Sequence, residues 1–454
     1  MERGNAMASF RNSAVNSFGT RCLVSFSITV FATASAFAQS SSRAVFVSNN
    51  GNLEGSISAF SVNPDGTLAF VNRIVTGSRA SISDPCAGCN AYEISLSPNG
   101  RYLATVHPAG DLDGITILQV AANAAVSTVL QYTMPFAQDA PLDCVWLDND
   151  YLAVASAAGS PNNIRVYLFN PAGPSITPTG AMPTGSGGLG YLARHPKLPV
   201  LYANDSVNDQ IYAYTIGVGG SLVLLDTEPT GALFPLELAV SPNGLFLYSV
   251  CGISGGGNKI IGMTIDGAGA LTGMAGTPFT SPTTSTANVW VGDDNTNLIV
   301  GHSSSGQVHT FGIDGGTGVP TATGNFFDVG TTGEGQDIRT IDNLLFIVDN
   351  FNGPTGVYSF TIGAGGTLTQ NGLLTSTGGI APRSLATWRP NVPGDLNCSF
   401  TVDLDDVAPF VLALLDPPEY AIQYPGCNVN LADVNGDTLT DGRDAAVFTE
   451  LLVP

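Results

Sequence analysis

Two acidic segments near the C-terminus carry side chains whose types and spacing suit metal chemistry. In the first, Asp395, Asn397, Ser399, Asp403 and Asp406 stand at positions 1, 3, 5, 9 and 12 of a twelve-residue loop. In the second, 38 residues on, the same positions hold Asp433, Asn435, Asp437, Asp441 and Asp444. Oxygen donors at this spacing curl a short segment around a hard cation such as calcium. The backbone carbonyl at position 7, here Thr401 and Leu439, supplies a further ligand. Position 6 is Phe400 and Thr438 rather than the usual glycine, and Ser399 is a neutral donor. The second loop is therefore expected to bind calcium more tightly than the first. The plainer alternative is an acidic, solvated turn.

Each loop leads into an apolar stretch, 407–415 and 445–452, that reads as a helix. Pro409 falls in the first turn, where proline is tolerated. The paired segment resembles the duplicated loop–helix repeat of dockerin domains, which end in Asp at position 12 where an EF-hand uses Glu. The resemblance covers about 60 residues and implies a small α-helical domain over 391–454, calcium as cofactor, and a protein or cell-surface partner. Packing of one helix on the other accounts equally well for their apolar residues. Cys398 and Cys427 flank the intervening segment and read as a disulfide.

Residues 1–38 read as a secretory signal: Arg3, Arg11 and Arg21 precede an apolar run that closes on Ala36-Phe37-Ala38 before Gln39. The run is too short and too rich in small polar residues to span a membrane, and no later stretch qualifies. Its removal leaves 12 basic against 35 acidic side chains, a net charge of −23. Such a surface repels nucleic acid and anionic membranes and favours divalent cations. The expected location is extracellular, cell-surface or periplasmic. Six cysteines remain, an even count that in an exported chain favours disulfides. Cys86-Ala-Gly-Cys89 reads as a loop staple or as one end of a bridge to Cys144; Cys251 has no evident partner.

With 54 Gly, 28 Pro, 11% charged and 44% hydrophobic residues, the chain is neither helical nor disordered. Short strands between tight turns fit both numbers, giving an all-β domain over 39–390. Self-similarity appears at a period of roughly 48 residues. One element is an aromatic strand running into a Gly-rich turn, as in Tyr214-Thr-Ile216-Gly-Val-Gly-Gly-Ser-Leu222 and Phe360-Thr-Ile362-Gly-Ala-Gly-Gly-Thr-Leu368. Another is a strand, a Ser-Pro-Asn-Gly turn and a second strand, at Ile94–Val106 and Leu238–Val250. Four short strands at this period mark a β-propeller. The first copy, starting at Arg43-Ala-Val-Phe-Val47, lacks an innermost strand, and a spare strand lies at Pro382–Trp388. Closure of the ring by that strand gives seven blades.

These turns and hairpins resemble those of the seven-bladed lactonase family, which includes bacterial 6-phosphogluconolactonase and the carboxymuconate lactonising enzymes. The resemblance covers roughly residues 43–390; it implies the fold, and fold alone does not carry function. In that family His and Arg open the innermost strands. The aligned positions here are Glu93, Asp143, Tyr191, Glu237, Val289, Asp337 and Ser384. None of the four histidines, His107, His195, His302 and His309, is among them, and Arg383 is the one family-like basic residue. Glu93, Asp143, Glu237 and Asp337 form a ring of carboxylates expected at the channel mouth. Four converging acids must bind a cation, be solvated, share protons, or accept backbone N–H groups from neighbouring blades. Two functions follow. The first is a secreted, non-catalytic propeller that binds an unidentified ligand on its face and is attached through the dockerin-like module. The second is an exported, metal-dependent lactone or ester hydrolase, with calcium at the mouth. The residues favour the first.

Overall fold

The structure is a computed structural model of the chain. It describes residues 43–51, 55–76, 91–108, 113–121, 123–134, 140–156, 163–183, 189–252, 257–303, 305–329, 337–350, 354–389, 392–397, 402–424, 429–436 and 439–452. The proposed signal segment, Cys86, Cys89, Cys398, Ser399, Thr401, Cys427 and Asp437 lie outside them.

Alternating apolar and small residues with a turn every six to eight positions leave each strand too short to bury its own faces. The strands therefore stack as seven antiparallel sheets arranged as the blades of a propeller. The innermost strands of blades 2 to 7 are Ile94–Leu96, Pro141–Trp146, Leu189–Arg194, Pro235–Val240, Thr286–Val291 and Ile338–Ile341. Blade 1 is composite. Its first chain segment, Ala44–Asn50, pairs on one side with Gly55–Val62 and on the other with Pro382–Trp388, in the register Ala44↔Trp388 to Val47↔Leu385. This pairing closes the ring as the sequence implied. The core lies between blades, in apolar clusters such as Ala104, Val106 and Ile117 of blade 2 against Trp146, Val154 and Tyr167 of blade 3.

The Ser-Pro-Asn-Gly turns also lock one blade to the next. Gly100 (φ 66°) and Gly244 (φ 77°) occupy the left-handed region that favours glycine. A Cβ on Gly244 would stand 2.6 Å from the His195 ring, whose Nε2 donates to the Gly244 carbonyl at 2.9 Å. Trp388 Nε1 donates to the Gly100 carbonyl in the same way at 2.8 Å. Asn149 and Asn295 of the following blades each accept the backbone N–H of Asn99 or Asn243.

After the propeller, the described residues form three short α-helices: α1 (Val407–Leu415), α2 (Pro417–Gln423) and α3 (Asp444–Leu451). The first and third match the stretches expected to be helical; α2 was not anticipated. Asp416 starts it by accepting the Glu419 N–H ahead of Pro417, a favourable N-cap followed by proline at the first helical position. Among the described residues no helix is long and apolar enough to cross a membrane.

Candidate functional site

The innermost strands begin at one face of the propeller and surround an axial cavity of about 360 Å³. Its lining includes Glu93, Asp143, Tyr191, Glu237, Trp290 and Arg339. The fourth acid, Asp337, stands immediately before the innermost strand of blade 7 and joins the group through Arg339. All four carboxylates are less than a tenth exposed, so each needs partners.

Those partners fall into two kinds. Backbone N–H groups of the next blade serve three of the acids: Leu192 donates to Asp143 at 2.7 Å, Val289 to Glu237 at 3.2 Å and Leu385 to Asp337 at 2.6 Å. The acids thus act as spokes from blade to blade. Arginine provides the second kind. Arg339 Nη1 donates to Glu237 Oε1 at 3.0 Å and to Asp337 Oδ1, and its guanidinium lies 4.3 Å over the Trp290 ring. Arg383 Nε lies 3.5 Å from Glu93 Oε1, while its Nη2 donates to the hydroxyls of Tyr92 at 2.8 Å and Tyr191 at 3.2 Å. Two guanidinium groups thus meet the negative charge of the four acids.

Burial dominates the proton affinities here. It raises Glu93, against the opposing pull of Arg383, and lifts Asp143 well above the carboxylate range, helped by the charge of Glu93. Glu237 is pushed up to about 8, first by burial and then by Asp337, which together outweigh Arg339. For both arginines burial acts to lower the pKa, but the neighbouring carboxylates and, at Arg383, the tyrosines reverse it. The mouth therefore combines fixed positive charge with one carboxyl group, Glu237, that exchanges a proton near pH 8.

Several expectations change. In blade 6 the position aligned with Glu237 is Asn288 rather than Val289. Asn288 is the third residue of its strand, as Asp143 and Glu237 are of theirs; Val289 is fully buried, and Asn288 Nδ2 donates to Glu237 Oε2 at 3.0 Å. Cys144 is a free, buried thiol packed near the Glu93 and Ala104 carbonyls. The bridge from the Cys86–Cys89 loop to Cys144 is therefore not formed; Cys251 is free as well. Arg339, Tyr92 and Trp290 were not singled out from the sequence. One signal was available: an arginine two residues after Asp337 on an innermost strand, in a chain with few basic residues. The histidines stand apart from the cluster: His107 bonds Thr116, His302 bonds Ser281, and His309 faces Thr283 and Gln307.

The C-terminal loops show a second, duplicated arrangement. Asp406 is fully buried and accepts the N–H groups of Leu396 and Asn397 on one oxygen and that of Asp403 on the other. Asp444, also fully buried, repeats this with Asn435 and Asp441. In both loops the side chain at position 12 ties down positions 3 and 9. Phe410 and Phe448, equivalent residues of the two repeats, stack face to face with centroids 3.9 Å apart. The donors are all oxygen, which suits calcium. Among the described residues no three His, Cys, Asp or Glu side chains are grouped as metal ligands.

No family model matches the chain, and no curated protein matches it. Solved structures do. The periplasmic gluconolactonase of Pseudomonas aeruginosa is 17% identical, with a TM-score of 0.61 over 76% of this chain and 98% of its own. A candidate 6-phosphogluconolactonase from Bacteroides fragilis is 16% identical, with a TM-score of 0.62 over 77% and 99%. Another from Bacteroides uniformis gives 15% identity and 0.61 over 77% and 100%. At these identities the likeness is one of fold: a lactonase-type seven-bladed propeller.

Proposed function

We propose that the propeller hydrolyses a lactone or related ester in its axial channel. The observation that carries this reading is the buried cluster of Glu237, Arg339 and Arg383 at the channel mouth. A carboxyl group titrating near 8 can take a proton from water and return it to a leaving alkoxide. Two fixed guanidinium groups stabilise the oxyanion that forms between those steps. The named relatives, a gluconolactonase and candidate 6-phosphogluconolactonases, support the substrate class. The positive charge expected of a calcium ion at the mouth is supplied by arginine, and each step of the reaction uses the chain's own groups. Acid release from five- and six-membered lactones on a pH-stat tests it. The full chain should accelerate hydrolysis, and Glu237→Gln should lose at least about a hundredfold in kcat/KM. No acceleration over buffer with any lactone or ester would overturn the reading.

A second reading concerns residues 391–454 and rests on the duplicated loops. The segment serves as a dockerin-like, calcium-stabilised module that attaches the exported propeller to a protein or surface partner. Leu404, just ahead of α1, and Val407, Val411 and Leu415 within it support this reading: they are exposed apolar residues, whereas Phe410 and Ala413 of the same helix are buried. Such a stripe is unusual on a helix with no further role. Calorimetric titration of the full chain with calcium should show two binding events, the tighter one removed by Asp444→Ala. Absence of any heat would contradict calcium as the cofactor.

A further inference from the structure

The hydrolase reading places two guanidinium groups near the oxyanion and leaves open whether an uncharged donor meets the same oxygen. Tyr191 lies on the innermost strand of blade 4, lines the cavity and is partly exposed to it. Its hydroxyl oxygen receives the Nη2 proton of Arg383 at 3.2 Å. A phenol that accepts from a guanidinium still has its own O–H to donate, and the arginine polarises that bond. Burial raises the Tyr191 pKa well above its ordinary value, so the residue stays a phenol and acts as donor rather than base. Glu93 and Glu237 are close enough to add to that rise.

The donor is also held in place from both ends. Arg383 is fixed over the Tyr92 ring at 4.2 Å. The backbone N–H groups of Gly190 and Tyr191 donate to Asn204 Oδ1 at 3.1 and 2.7 Å. Asn204 is fully buried, and its Nδ2 reaches the carbonyls of Pro235 and Leu236 in blade 5 at 2.7 and 2.5 Å. The start of the strand that carries Tyr191 is thereby clamped to the start of the strand that carries Glu237. A donor fixed before substrate arrives costs little reorganisation when charge develops.

We propose that Tyr191 is a catalytic residue of this site, donating its O–H to the carbonyl oxygen of the bound lactone. Water adds to the carbonyl carbon while its proton passes to the Glu237 carboxylate. The carbonyl π pair moves onto oxygen, where Tyr191 holds it. Collapse re-forms the C=O bond and breaks the ring C–O bond, and Glu237 returns the proton to the departing ring oxygen. Tyr191 keeps its own proton throughout. The inference rests on the hydrolase reading, and the test separates the two. Wild-type full chain, Tyr191→Phe and Tyr92→Phe are assayed on the lactone that the wild type turns over fastest, with thermal melting as a check on folding. Tyr191→Phe should lose about a hundredfold in kcat with KM changed by less than about threefold, and Tyr92→Phe, which removes the other hydroxyl that Arg383 bonds, should lose at least about tenfold less. A wild type inactive on every lactone overturns the hydrolase reading and this one with it. Unimpaired Tyr191→Phe overturns only the role of Tyr191. Equal losses in both variants do the same, by assigning the effect to Arg383. Replacement of Tyr191 by 3-fluorotyrosine covers the case in which the phenylalanine variant fails to fold. A kcat that changes with the acidity of the phenol supports the donor role, and an unchanged kcat contradicts it.

Discussion

Glu237 shares its two oxygens among Arg339, Asn288 and the Val289 N–H, with Asp337 held by the same guanidinium. Burial raises its pKa from 4.5 to about 8, which has a thermodynamic consequence. Between those values the folded chain holds a proton that the unfolded chain releases, so the contribution of Glu237 to stability falls as pH rises through that window. Below pH 4.5 the contribution is fully present, and above about 8 the loss levels off. Thermal melting of wild type and Glu237→Gln from pH 4 to 9 should show a steeper decline in the wild type, approaching one proton's worth of slope, about 1.4 kcal/mol per pH unit. Parallel curves would contradict the raised pKa. At this scale the acids were legible because they recur near one position of a repeat: Glu93 and Asp337 stand just before an innermost strand, and Asp143 and Glu237 are the third residues of theirs. Arg339 was not, since it sits two residues on from Asp337 and only the closed ring brings it to Glu237.

Among the elements, the strand Pro382–Trp388 has the largest structural burden, because it alone joins the two ends of the ring. Trp388 is nearly buried, packs on Phe46 with ring centroids 6.3 Å apart, and bonds Gly100 of blade 2. Trp388→Ala should destabilise the propeller by about 3–5 kcal/mol, read as a shift in the denaturant midpoint without a change in slope. A cost below about 1 kcal/mol would mean that closure does not depend on this ring. The repeat made the blades and this closure readable, through the incomplete first copy and the spare last strand. It failed by one residue in blade 6, where Asn288, the third residue of its strand, rather than Val289 stands where Asp143 and Glu237 stand in theirs. The side chain there is an amide rather than an acid, so the run of carboxylates did not mark it. Helix α2 escaped for a related reason: Asp416 followed by two prolines reads equally as a turn.

At the scale of the whole molecule, an acidic chain with a net charge of −21 encloses a channel whose mouth carries two buried arginines. The surface charge was visible in composition. The pairing of charges at the channel was not, because it depends on residues far apart in sequence, Arg339 with Glu237 and Arg383 with Glu93, meeting at one axis. The measurement that tests this account most directly is the pH dependence of kcat/KM for lactone hydrolysis by the full chain, from pH 5 to 9, beside Glu237→Gln. The rate should rise to a plateau governed by a group titrating near 8, and that rise should vanish in the variant. Hydrolysis no faster than in buffer, or a profile that the variant leaves unchanged, would contradict it.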